Sequence, residues 1–491
     1  MKIKAMLYLG LSALYLTACG SSGGSEPAPT SPPSVSSSSS DLSSSVSSST
    51  DSSDSTGSSS STASVAGLIP NAANNGSPYC RYSESANGWG WENGHNCVIY
   101  QSAADPGVGE FDHCKVGAEE INYCASNSDN NSNWQFNNGD VCIARTFCPG
   151  NNEKSQTALS TSLVTPDASA TSQKVFDYLH SVWGSKMLSG QMDLTWADQI
   201  DMHQRVLDAT GKEPALMGYD FMNYGAYANG SGLTQTEEAI EYWNKGGLIT
   251  FAWHWRDPSG DSKNFYANQE DASKNTRFTI PVKDGALDTE SDAFAAIEHD
   301  VDLIAGELKK LENADVPVLW RPLHEAAGGW FWWGRARTDG VPAAYAQTLL
   351  WRYLFERLTN YHGLTNLIWV WNGQNAIWYP GDDVVDIVST DIYDGAQNYE
   401  SQKTLYDVTK AYPHREKMVA LSENSNIPDP DAMAADNAWW LWFMVWNDGA
   451  LDTTEDHSNN FWTGEYYNTD VHKKHVYEHE RVITLDELPE F

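Results

Sequence analysis

Basic side chains are scarce in this sequence: 30 Lys and Arg stand against 65 Asp and Glu, a formal net charge of −35. Phosphate-rich partners would be repelled, which argues against nucleic acid and against electrostatic docking on anionic lipid. Beyond the N-terminal stretch AMLYLGLSALYL there is no apolar run long enough to span a bilayer. The chain also lacks a G-x-S-x-G elbow, an H-E-x-x-H pair and a Gly-rich phosphate loop. Those gaps argue against a serine hydrolase, a zinc hydrolase of the common kind and a dinucleotide-binding open sheet. Cysteine is absent after Cys148, so six of the seven cysteines are confined to Cys80, Cys97, Cys114, Cys124, Cys142 and Cys148.

Aromatic rings, by contrast, are abundant, with 21 Trp and 23 Tyr. They fill cores, and they also match the apolar C–H faces of sugar rings. The N-terminus combines a basic start, MKIK, with a short apolar stretch and then Leu16-Thr17-Ala18-Cys19. This is the layout of a signal peptide. The four residues resemble a bacterial lipobox, in which Cys19 is acylated, and Gly20 after it resembles the outer-membrane pattern. Residues 1–19 are therefore read as a lipoprotein signal and 20–77 as a Ser-rich tether that cannot build a core. Its Ser-richest part, about 46 residues over 20–66, has an average reach of roughly 35–40 Å.

Residues 78–149 hold the cluster of six cysteines, read as three disulfides in an oxidising compartment, with 15 pairings possible. No C-x2-C spacing supports zinc. A weak repeat aligns WGWENGHNC at 89–97 with WQFNNGDVC at 134–142, and predicts two stapled hairpins. A second linker is expected at 150–170.

From 171 to 491, short apolar runs alternate with helix-period segments. The strand candidates are 186–192, 215–221, 248–255, 316–325, 367–373, 386–393, 418–424 and 440–447. Eight such runs with intervening helices predict an α/β fold, a (β/α)8 TIM barrel, joined to the small disulfide-rich β module. Active residues of such a barrel sit where strands end. Here the ends are unusually polar: His254, His324-Glu325, Asp391-Ile392-Tyr393, Glu423 and Trp446-Asn447. Glu325 and Glu423 close strands four and seven, which face each other across a filled interior. Glycoside hydrolysis needs such a pair, one acid kept protonated and one carboxylate free to attack.

These residues resemble glycoside hydrolase family 26, a barrel family best known for β-mannanases. The resemblance covers about 175–480 and rests on R-P-x-H-E with Trp330 five residues later, D-x-Y at 391–393 and the strand ending L-S-E at Glu423. It implies Glu325 as general acid/base, Glu423 as nucleophile, and His324 beside the acid. It further implies substrate contacts from His254, Trp330, Asp391, Tyr393 and Trp446. Family members often carry Arg where this chain has Asn447, which puts the distal sugar subsite in question. NGWGWE (87–92) and CIARTFC (142–148) resemble signatures of family 10 carbohydrate-binding modules, and imply a sugar-stacking strip of Tyr82, Trp89 and Trp91.

The expectation is a retaining β-1,4-mannanase acting as a monomer on mannan, glucomannan or galactomannan without metal or cofactor. The small module would hold insoluble plant cell-wall polysaccharide, and the lipid anchor would be the sole membrane contact, at the bacterial outer membrane. Another endo-β-glycanase, cutting mixed-linkage glucan or β-1,3-xylan, and a non-catalytic glycan-binding surface lipoprotein remain alternatives.

Overall fold

The computed structural model describes residues 157–491 apart from 196–199, 227–232 and 450–455, together with Ala73 and parts of 88–148. Cys19, Tyr82 and Cys80, the expected signal peptide and nearly all of the Ser-rich tether lie outside the described residues, as does the side chain of Trp91.

The small module is made of three two-stranded antiparallel hairpins: β1 (Trp89–Glu92) with β2 (His95–Val98), β3 (His113–Val116) with β4 (Glu119–Asn122), and β5 (Trp134–Asn137) with β6 (Asp140–Ile143). The repeat in the sequence is real at the level of register. Trp89 pairs with Val98 and Gly90 with Cys97, just as Trp134 pairs with Ile143 and Gln135 with Cys142. Gly139, at φ +92, supplies the positive φ that a tight hairpin turn requires. Cys114–Cys148 and Cys124–Cys142 are disulfide-bonded, a staple that a unit this small needs in place of a large core.

The large domain is built on seven parallel strands in sequential order: β7 (Gly190–Met192), β8 (Leu216–Asp220), β9 (Leu248–Ala252), β10 (Val318–Arg321), β11 (Leu367–Trp371), β12 (Ile387–Ile392) and β13 (Met418–Asn424). Each of these runs is buried along nearly its whole length, as expected of strands covered on both faces. Helices α2 (Met202–Thr210), α3 (Gln235–Asn244), α4 (Asp292–Asn313) and α5 (Ala343–Phe355) form the first four crossovers, and α6 (Lys403–Lys410) joins β12 to β13. α1 (Ala170–Val182) precedes the sheet; α7 (Pro430–Asp436) and α8 (Asp470–Tyr477) follow it. In α4 the buried set Ile297, Val301, Ile304, Leu308 and Leu311 recurs every three or four residues, and Ser291 caps the start by accepting from Phe294 N. The β11–β12 connection has no α-helix; two 3₁₀ turns, Ala376–Trp378 and Asp382–Val384, take its place.

Two expected strands depart from the regular pattern. The first splits into Met187–Leu188, which pairs with Val482–Ile483, and β7. The last, 440–447, is not a continuous strand but makes isolated parallel bridges to both edges of the sheet, Leu188↔Trp442 and Gln191↔Val445 on one side and Asn424↔Val445 on the other. Its backbone carbonyls reach both ways, since Leu188 N donates to Leu441 O and Asn424 N to Met444 O. Gly190 permits this approach: a Cβ there would run into the Phe443 carbonyl. The expected second linker is held against the domain from Thr157 onward. Thr157 bridges Arg415, and buried Thr165 donates to Leu367 O.

Candidate active site

The residues named from strand ends converge at the carboxyl end of the sheet. After β10 the chain turns sharply: Leu323 and Glu325 both adopt φ +53, the left-handed region that non-glycine residues rarely occupy. The turn is held because Leu323 is buried and Glu325 N donates to Asn372 O at 2.6 Å, at the end of β11. Backbone held this way is typical of positions where a side chain must be aimed rather than packed.

Glu325 accepts from Trp330 Nε1 at 2.8 Å, and Gln374 Nε2 lies 3.5 Å from its other oxygen. Burial first, then the charge of Glu423, pushes its carboxyl up to about 7; Trp330, Asp391 and Arg321 oppose that rise. Glu423 is placed otherwise. Arg321 Nη2 donates to Oε1 at 2.6 Å and the Tyr393 hydroxyl to Oε2 at 2.7 Å, so each oxygen accepts one strong donor. Tyr393 is 46% exposed as a residue, yet its hydroxyl reaches inward to the carboxylate. Burial and then Glu423 drive that phenol well above its ordinary range, so it remains a donor.

Asp391 lies beside both. A register shift between β12 and β13, which leaves Ser422 unpaired, brings it opposite Glu423. Its carboxyl accepts from Ser422 Oγ at 3.1 Å and lies 3.5 Å from Arg321 Nη1. Burial and the Glu423 charge hold it well above the usual carboxylate range. One oxygen from each of Glu325, Asp391 and Glu423 falls within 4.8 Å of the others, the one such group of three among the described residues. A cation would fit that spacing, but the buried guanidinium of Arg321 already supplies positive charge to two of the three.

The two histidines form a relay beneath. The Asp220 carboxylate holds His254 Nδ1, and His254 Nε2 is 3.2 Å from His324 Nε2. Burial lowers the His254 pKa, but the Asp220 charge and hydrogen bond outweigh it and leave it raised. His324 is driven far down by burial and then by His254. His324 Nε2 also lies 3.9 Å from Glu423 Oε1, so the pair links Asp220 to that carboxylate. The half-buried Trp446 ring stands 5.7 Å from the His254 ring.

Of the three tryptophans within 330–333, Trp330 alone is partly exposed. Trp332 and Trp333 are buried, their indole N–H groups donating to Trp255 O and His324 O. The 257–278 segment braces this wall: Tyr266 bridges Phe331, and Ala267 N donates to Trp330 O. Asn447 is buried and donates to Asp193 O at 2.9 Å, so it ties two strand ends together instead of reaching outward.

Sequence reasoning passed over Arg321, Asp220 and Gln374. Arg321 stood in the quoted R-P-x-H-E motif, and a lone Arg closing an apolar strand was the available signal. Asp220 closes β8 in the same way. Gln374 carried none.

Comparison with known proteins gives the large domain a family. The family model for glycosyl hydrolase family 26 matches residues 164–487. A mannan endo-1,4-β-mannosidase of Thermothelomyces thermophilus is 39% identical over 340 residues, 67% of this chain and 64% of that one. Mannan endo-1,4-β-mannosidase B of a Piromyces species is 34% identical over 403 residues, 80% of this chain and 65% of that one, a match that extends into the segment before residue 164. The chain thus spans just under two thirds of the length of these curated relatives. Among solved structures, the Podospora anserina GH26-CBM35 β-(1,4)-mannanase is 35% identical with a TM-score of 0.58, covering 71% of each chain. A β-mannanase from a symbiotic protist of the termite Reticulitermes speratus, complexed with gluco-manno-oligosaccharide, is 34% identical with a TM-score of 0.59, covering 69% of this chain and 100% of that one. By the matched span, the chain belongs to glycosyl hydrolase family 26.

Proposed function

We propose that this protein is a retaining β-1,4-mannanase that cleaves mannan, glucomannan or galactomannan by double displacement on a (β/α)8 barrel. The observation that carries the reading is the pair Glu325 and Glu423, with oxygens within 4.8 Å of each other and opposed surroundings. A retaining glycosidase needs carboxyl groups about 5–5.5 Å apart; an inverting one needs room for water between them. The names of the relatives, and the gluco-manno-oligosaccharide bound by one structural neighbour, support mannan as the substrate class. The bridges from 440–447 to both sheet edges support closure of the barrel.

In this mechanism Glu423, aimed by Arg321 and Tyr393, attacks C1 as the glycosidic C–O bond breaks, while Glu325 gives its proton to the departing oxygen. The charge of Glu423 is consumed in the glycosyl–enzyme ester, so the pKa of Glu325 falls and its carboxylate can take a proton from water in the second step. His254 and Trp446 line the sugar that reacts, and Trp330 stands beside the acid. The sequence features support an N-terminal signal with Cys19 lipidated at the outer membrane and a small module that holds polysaccharide through Trp89.

The test is a product profile from mannohexaose together with rates on mannan, mixed-linkage glucan and β-1,3-xylan. β-Configured manno-oligosaccharides as first products support the reading; faster cleavage of glucan or xylan, or α-configured first products, contradict it. Palmitate incorporation that disappears in Cys19→Ala supports the anchor, and incorporation unchanged in that variant refutes it. Trp89→Ala should weaken retention on insoluble polymer and leave mannotetraose hydrolysis intact; undiminished retention contradicts the role of that ring.

A further inference from the structure

The first and last hairpins of the small module share one register yet use their matched tryptophans differently. Trp89, opposite Val98, is 40% exposed, whereas Trp134, opposite Ile143, is 4% exposed. Trp134 is buried against the large domain. Its Nε1 donates to Ile377 O at 3.0 Å, and its ring stands 5.7 Å from that of Tyr345. Two residues on, where a strand returns to the same face, the Phe136 ring lies over Gly285, and any Cβ at 285 would run into it. The Tyr345 hydroxyl donates to Gly285 O, so two of the three docking points are themselves tied together. Trp134, Ile121 and Ile143 belong to the same continuous apolar core as the barrel-forming strands.

The docking points have a defined place relative to the chemistry. Ile377 lies in the 3₁₀ turn that replaces a helix after β11, and the same loop carries Gln374 beside Glu325. Tyr345 is in the first turn of α5, after the loop that carries Trp330. Trp330 and Gln374 approach Glu325, while Arg321 and Tyr393 hold Glu423. The acid must reach the leaving oxygen and the nucleophile must lie under C1, so the Glu325 side of the cleft is the side of the departing sugar.

We propose that the small module is a fixed wall of the cleft on the leaving-group side, docked through Trp134 and Phe136, and that one β-mannan chain is held by both units at once. This rests on the mannanase reading above. A module on a loose tether only raises the local concentration of polymer; a docked one makes the second contact on the same chain intramolecular at fixed geometry.

The experiment compares kcat/KM on mannotetraose and on long soluble glucomannan for the full chain, Trp134→Ala and Gly285→Val. The second variant pushes Phe136 away from the barrel side, at the cost of strain in the turn at Gly285 (φ +76), and leaves the module sequence untouched; mannotetraose turnover and the melting temperature report whether the large domain tolerates it. Both should keep mannotetraose kcat/KM within about twofold while losing about 5- to 10-fold on the polymer. Thiol titration reports whether the disulfides of Trp134→Ala stay closed; if they do not, Gly285→Val alone decides. An unchanged polymer-to-tetraose ratio in Gly285→Val overturns the docking proposal. A wild-type chain inactive on both substrates overturns the mannanase reading instead.

Discussion

Glu325 and Glu423 close two strands of one sheet, at β10 and β13, and the chain treats them in opposite ways. Glu325 sits on a left-handed turn, with an indole N–H on one oxygen and burial pushing its carboxyl up to about 7. Glu423 lies near the end of β13, beside its register shift, and takes Arg321 on one oxygen and the Tyr393 hydroxyl on the other. Among the described residues, Glu325 has no cation in hydrogen-bond contact, whereas Glu423 takes a guanidinium and a phenol directly. On the proposed mechanism, the two roles would be set by neighbouring residues rather than by the carboxyl groups themselves.

The most severe way to break this contrast is Glu423→Ala. Loss of the nucleophile should reduce kcat on mannan by about 10⁴-fold or more, with the circular dichroism spectrum and melting temperature preserved. Turnover near the wild-type level would rule out its role. Glu325→Ala should cost about 10²–10⁴-fold on mannan, yet far less on an aryl mannoside whose leaving group needs no proton. Equal losses on both substrates would mean that Glu325 is not the acid.

Smaller changes test the surroundings. Asp220→Asn removes the charge that raises the His254 pKa, and should lower kcat by about tenfold while weakening the His254–His324 hydrogen bond. The imidazole proton shifts seen by NMR check that second effect, and shifts identical to wild type would contradict the relay. The pH profile gives the finest comparison. Glu325 acts as an acid only when protonated, so activity should fall as pH rises through about 7. Trp330→Phe deletes a hydrogen bond that favours the charged form, so the alkaline limb should move to higher pH. A limb that stays in place, or moves down, would assign it to another group.

Much of this was legible before any coordinates, and the reason is local. A strand buried on both faces reads as an unbroken apolar run, so the polar residue that ends it is conspicuous; Glu325, Glu423 and His254 were all found that way. Arg321 and Asp220 were not, although both also close strands. Their meaning depends on register across the sheet: Asp220 pairs with Ala252, two residues before His254, and Arg321 reaches across two strands to Glu423. The eighth strand was over-read as regular because WLWFMVW is apolar throughout, whereas the structure gives it only isolated bridges. Trp89 and Trp134 look equivalent in the repeat. Only the fold of the whole chain decides which one is exposed and which one docks.

The most direct measurement is trapping with a 2-deoxy-2-fluoro-mannosyl fluoride followed by mass spectrometry of the digested protein. The fluorine slows the second step, so the glycosyl–enzyme ester accumulates. The account predicts one mannosyl label, on the peptide that contains Glu423, with Glu325 unmodified. A label on Glu325, or hydrolysis with inversion and no label at all, would contradict it.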